Sequence, residues 1–131
     1  MNAEVFFREM FHHIWQSHDI SRIGDYYANN FEETIQSWDE QQQKPVELHM
    51  DYHYMVEQAA LHKEHYHDTT LEIKKIVAGK DNHISVNFYS SSVDRKTEKM
   101  RYRYVCGIWR LNTEQKIDRV WAVVTPFYSP L

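Results

Sequence analysis

The chain has 131 residues, 42% hydrophobic and 26% charged, and a formal net charge of −4. That length suits one domain with one core, and the lack of a polybasic run argues against a general nucleic-acid binder. Cys106 is the lone cysteine, so no disulfide forms within the chain; no apolar run reaches membrane-spanning length and no signal-peptide pattern opens the sequence, which predicts a cytoplasmic protein.

Ala3 to Ser17 reads as an amphipathic helix, because Phe7, Met10, Phe11, Ile14 and Trp15 recur on one face. His18-Asp19 interrupts that pattern. Asp19 suits the N-cap of a second, short helix carrying Ile20, Ile23, Tyr26 and Tyr27. Asn29-Asn30 is expected to close it, since Asn tolerates left-handed backbone. From Phe31 to Trp38 the period changes: Thr34, Gln36 and Trp38 alternate with Ile35 and Ser37, which predicts a strand. Asp39 to Pro45 is a polar loop, and Val46 to Met50 a short return strand. Asp51 then caps a third helix from Tyr52 to about Tyr66, with Tyr52, Met55, Val56, Ala59 and Tyr66 on its core face.

The remainder is predicted as strand. In Thr70 to Ala78, Leu71 and Ile73 alternate before Lys74-Lys75 breaks the register, as a bulge would. Gly79 to Asn82 is a turn, after which Ile84, Val86 and Phe88 face one way. Ser90 to Thr97 reads as a polar connection. Arg101 to Leu111 and Lys116 to Val124 are rich in Tyr, Val, Ile and Trp, and flank Asn112-Thr113-Glu114-Gln115, which predicts an antiparallel hairpin. In its first arm Met100, Tyr102, Tyr104 and Cys106 share one face, with Val105, Trp109 and Leu111 on the other. One face covers the core and the other is free to meet a partner subunit.

Two stretches carry a family resemblance: Asp19-Ile20 followed by Tyr26-Tyr27-Ala28-Asn29-Asn30-Phe31, and Leu111 to Trp121 with Lys116-Ile117 and Val120-Trp121. They resemble the entry to the first strand and the final hairpin of the nuclear transport factor 2-like superfamily, most closely its SnoaL-like polyketide-cyclase branch. The resemblance covers nearly the whole chain in order and spacing. It implies one α+β domain over residues 1–131, a cone in which a curved antiparallel sheet wraps around three helices of the N-terminal half. It also implies a conical pocket and a homodimer formed through the sheet. Such a fold hosts isomerases, dehydratases, cyclases and plain binding modules, so function must be argued from residues.

The steroid-isomerase relatives need a base and two donors aimed at a developing enolate oxygen. The resemblance sets the tyrosine donor at about Phe11 and the protonated acid at about Gly107, and neither residue supplies the group. The polyketide cyclases carry an acid near the last strand, where this chain has Trp121-Ala122-Val123-Val124. Asp39, at the end of the first strand, remains as candidate general base, and His49 as a proton shuttle near the same mouth. The plainer readings are that Asp39 starts a loop and His49 is solvated. His62, His65 and His67 invite a metal reading, but the helix dipole alone favours His at a helix C-terminus, so neither metal nor cofactor is assigned. The expected pocket is bounded by Phe11, Trp15, Trp38, Met55, Ala59, Val86, Val105, Val120 and Ala122, and suits a small apolar or aromatic molecule. Two functions follow: an enzyme of isomerase, cyclase or dehydratase kind, or a non-catalytic ligand-binding or dimeric interaction module. An inward carboxylate with a perturbed pKa would distinguish the first from the second.

Overall fold

The structure, a computed structural model, describes residues 1–128. Its elements are α1 (Ala3–Met10), a π-helical continuation (Phe11–Gln16), a 3-10 turn (Ile20–Arg22), α2 (Ile23–Tyr26), β1 (Tyr27–Asp39), β2 (Lys44–Asp51), α3 (Tyr52–His65), β3 (Tyr66–Ala78), β4 (His83–Asp94), β5 (Met100–Leu111) and β6 (Ile117–Val124). The strands form one sheet in the order β2-β1-β6-β5-β4-β3. The sheet is mixed rather than antiparallel throughout, because β1 and β6 run parallel. Parallel neighbours need a long crossover, and everything from β2 to β5 supplies it. No helix among the described residues is long and apolar enough to cross a membrane.

The first helix packs the face its periodicity marks: Phe7, Met10, Phe11 and Ile14 are buried. Phe7 is fully enclosed, with its ring centroid 5.4 Å from that of Phe6, 5.9 Å from Phe11 and 5.6 Å from Trp109. The break after Ser17 is sharp because His18 takes left-handed backbone, φ 55°. The second helix is shorter than its sequence suggests. Asp19 makes no helix cap, its carboxylate accepting instead from the Ser21 hydroxyl. Tyr27 and Asn29-Asn30 lie in β1 rather than closing a helix, because Tyr27 joins the sheet opposite Ile117.

α3 begins where expected. The Asp51 carboxylate accepts from the Tyr54 backbone N–H at 2.7 Å, one of the otherwise unsatisfied donors of a helix start. Asp51→Ala is expected to lower stability by about 1 kcal/mol, read as a drop in thermal midpoint with unchanged native circular dichroism. Met55 and Ala59 are the buried residues of this helix. The register of β3 against β4 shifts between Ile73 and Lys75, at the expected bulge. Both strands outrun their predicted ends, β3 starting at Tyr66 and β4 reaching Asp94. The inner row of β4 continues as Ser90 and Ser92, both buried, and hydropathy alone does not reveal small polar residues as core.

The inner faces of β4, β5 and β6 meet the helices through Ile84, Val86, Phe88, Val105, Trp109, Leu111, Val120 and Ala122. On the outer face Ile108, Trp121 and Val123 are exposed.

Candidate functional site

The sequence-derived pair does not assemble. Asp39 Oδ1 accepts from the backbone N–H groups of Gln41 and Gln42, at 3.0 and 3.1 Å, so the carboxylate organises the turn after β1. His49 is exposed and pairs with Glu47, Nε2 to Oε1 3.0 Å. Along the β1–β2 ladder Asp39 lies opposite Lys44 and Thr34 opposite His49. Five residues of strand, about 17 Å at ~3.4 Å per residue, therefore separate the two. The expected pocket wall is also different. Phe11, Met55, Ala59, Val86, Val105, Val120 and Ala122 are buried in one core cluster, with Trp15 packed partly buried against it. These side chains pack on one another. Trp38 is 43% exposed, since its parity on β1 matches the outward-facing Thr34 and Gln36 rather than Phe31.

A carboxylate does occupy the inner face, at Glu33. The pleat of β1 places Phe31, Glu33 and Ile35 on one side, and Glu33 sits in register between Met50 of β2 and Val120 of β6. It borders a cleft of about 380 Å³ at the junction of β1, β2, β6 and the start of α3, shared with Glu32, Thr34, His49, Met50, Asp51, Tyr54 and Arg119. Burial raises the Glu33 pKa to about 7, with the Arg119 charge only partly opposing it. Arg119 is held in place: Nη2 donates to Thr34 Oγ1 at 2.8 Å, Nη1 to the Val120 carbonyl at 3.3 Å, and Cζ lies 4.8 Å from the centre of the Trp121 ring. Deeper in, Tyr27 is buried and its hydroxyl donates to Met10 Sδ at 3.6 Å. Burial and then the Glu33 charge raise its phenol pKa, against a hydrogen bond from Trp15.

Glu33 was readable from the sequence in one respect. Two adjacent acids, Glu32 and Glu33, stand inside a period-two run, so one must share the side of Phe31 and Ile35. Alternation counted from Thr34 to Trp38 passes over Glu33, although the strand itself is predicted from Phe31.

The three clustered histidines diverge. His62 points inward, its Nε2 2.9 Å from Thr69 Oγ1, which is 2.9 Å from Ser92 Oγ. Its ring stacks on Tyr66, centroids 5.1 Å apart, and meets Trp15 edge-on at 5.9 Å. Burial lowers its pKa to about 4, helped by His18 and Arg103, so His62 is neutral near pH 7. His65 is exposed, and His67 lies between Asp68 and Glu98, at 3.0 and 2.9 Å. No group of His, Cys, Asp and Glu suited to a metal occurs among the described residues.

The positions to which the resemblance assigns the donor and the acids are closed here. Phe11 packs on Phe88, centroids 4.7 Å apart. A Cβ at Gly107 would lie 2.7 Å from the Trp121 carbonyl oxygen, and Ala122 is buried.

The sequence matches no protein-family model and no curated protein. Its architecture is shared by solved structures. AclR, a proposed hydroxylase from Streptomyces galilaeus, superposes with a TM-score of 0.70 at 17% identity, covering 92% of this chain and 77% of its own. A proposed polyketide cyclase from Acidithiobacillus ferrooxidans gives 0.69 at 12% identity, covering 95% and 91%. An epoxide hydrolase from M. tuberculosis gives 0.61 at 9%, covering 88% and 77%. Identities this low establish a common fold and leave activity to be argued from the site.

Proposed function

We propose, for a chain that has the nuclear transport factor 2-like fold of these polyketide-cyclase-like structures, that it binds a small, largely apolar or aromatic molecule and acts on it by general acid–base chemistry at Glu33. The supporting observation is a carboxyl group on the inner face of the sheet, bordering a cleft of about 380 Å³, its pKa pushed up to about 7 by burial. A group with that pKa is present in both protonation states at neutral pH, so it takes a proton from carbon beside a carbonyl and returns it elsewhere. Arg119, held on the outward side by Thr34 and Trp121, reaches the same cleft and is the positive charge there for the enolate oxygen formed meanwhile. Isomerisation, dehydration and ring closure all fit this proton traffic.

Deuterium uptake at the acidic C–H of small aromatic 1,3-dicarbonyl compounds, followed by NMR, tests the reading. The wild-type chain should accelerate exchange, Glu33→Gln should lose about 10²-fold or more of that acceleration, and Asp39→Asn should retain it. Exchange that survives Glu33→Gln would remove Glu33 from the chemistry.

A non-catalytic module is the second reading, favoured by the packed core and by the apolar outer face at Ile108, Trp121 and Val123. On that reading a second copy of the chain covers this face. Absence of exchange on every compound, with a dimer in sedimentation, would favour it.

A further inference from the structure

Val120, beside Glu33, is in register with Trp109 of β5. Six residues back along β5, about 20 Å at ~3.3 Å per residue, stands Arg103. It shares parity with the inward-facing Val105 and Trp109 and lies partly buried at the far end of the cone. Its guanidinium sits 3.9 Å over the Phe127 ring. Among the described residues its Nε is buried without a hydrogen-bond partner. Burial holds its pKa below the usual guanidinium value, the Tyr66 phenol opposing this and the Arg101 charge adding to it.

Its neighbourhood adds further donors, and the acid that stands near, Asp94 in register with Tyr66, pairs with Arg101 at 3.9 Å. Both ring nitrogens of His18 are buried and without a partner among the described residues, and the charges that act on His18 are those of Arg95 and Lys63. The His18 ring centroid lies 5.5 Å from that of His62. The His62 and Tyr66 rings stack with Phe127, at 6.4 and 4.9 Å between centroids. A guanidinium Nε buried with no partner among the described residues is costly, and the planar fork of donors it belongs to matches a carboxylate. The flat faces beside it match a ring.

We propose that His18, His62, Tyr66, Arg103 and Phe127 form a binding site for a small aromatic carboxylate, with the carboxylate on Arg103 and His18 and the ring in the Tyr66–His62–Phe127 stack. Phe127 follows β6 outside any strand, tied through its carbonyl to Arg101 Nη2 at 3.0 Å. The site stands apart from Glu33 and needs no catalysis there.

Calorimetric titration of the full chain with benzoate, and with the neutral isostere benzamide, tests this. Benzoate should bind at least tenfold more tightly than benzamide. Arg103→Met should abolish that preference, while Arg103→Lys keeps part of it. No acid pairs with Arg103 among the described residues, so Arg103→Met strands no carboxylate there, and benzoate should raise the thermal midpoint of the wild type but not of Arg103→Met. Glu33→Gln should bind benzoate as the wild type does, so the two readings fail separately. Equal affinity for benzoate and benzamide, benzoate binding unchanged in Arg103→Met, or no benzoate binding at millimolar concentration would each overturn the proposal.

Discussion

Glu33→Gln is expected to stabilise the folded chain at pH 8 by at most about 3 kcal/mol and to leave its stability unchanged at pH 4. The cause is the displacement of the Glu33 pKa from 4.5 to about 7 by burial. Below pH 4.5 the carboxyl is protonated in both the folded and the unfolded chain, and Gln is a fair substitute. Between 4.5 and 7 the unfolded chain releases its proton while the folded chain keeps it, so stability falls as pH rises. Above about 7 the folded chain carries a buried carboxylate, and the whole cost is present. His62 acts in the opposite sense. Its pKa falls from 6.5 to about 4 on folding, so the unfolded chain gains a proton that the folded chain refuses, and stability is lost as pH drops through that window. In the wild type the two slopes oppose each other between about 4.5 and 6.5, giving a flat profile. In Glu33→Gln only the His62 slope remains. Thermal midpoints at pH 4, 5.5 and 8 should therefore separate, the variant standing up to about 10 °C above wild type at pH 8 and level with it at pH 4. An offset that is the same at every pH would mean that Glu33 titrates normally.

Gly107→Ala should destabilise by about 3 kcal/mol or more, and Gly107→Asp should prevent folding at neutral pH. A Cβ there would meet the Trp121 carbonyl oxygen at 2.7 Å, Trp109 Cζ3 at 3.0 Å and the Ala122 Cα at 3.1 Å. Two of the three are backbone atoms of β6, which pairs with β5 through this stretch, so relief requires the hairpin to part. Denaturant unfolding of Gly107→Ala measures the loss, and a variant as stable as wild type would show that the strands have slack. The same contact explains why the steroid-isomerase arrangement does not transfer. The resemblance sets its proton-donating acid at this position, where the neighbouring strand leaves no volume for any side chain.

What could be read without coordinates was whatever depends on neighbours in sequence. The Asp51 cap and the Lys74-Lys75 bulge each arise from a few adjacent residues, and the β5–β6 hairpin from two β-rich runs joined by a short polar link. The period along Phe7, Met10, Phe11 and Ile14 identified a buried helix face in the same way. Local pattern failed where a strand's chemistry ran against its burial. Ser90 and Ser92 look like loop yet continue the inner row of β4, and Asn29-Asn30 look like a helix end yet lie in β1.

Sites belong to a different level. Asp39 and His49 appeared close because a loop and a short strand separate them in sequence, but the ladder fixes them at opposite ends of one strand pair. Glu33, Met50 and Val120 come from three strands, and their meeting depends on the parallel pairing of β1 with β6 across most of the chain. Arg103, His18 and Phe127 likewise converge from remote segments. The sequence by itself determined where most of the helices and strands fall and which side they bury, because hydrogen bonding and side-chain periodicity act over a few residues. Only the tertiary structure decided which charge is left without water or partner, because desolvation is set by every segment packed around a group.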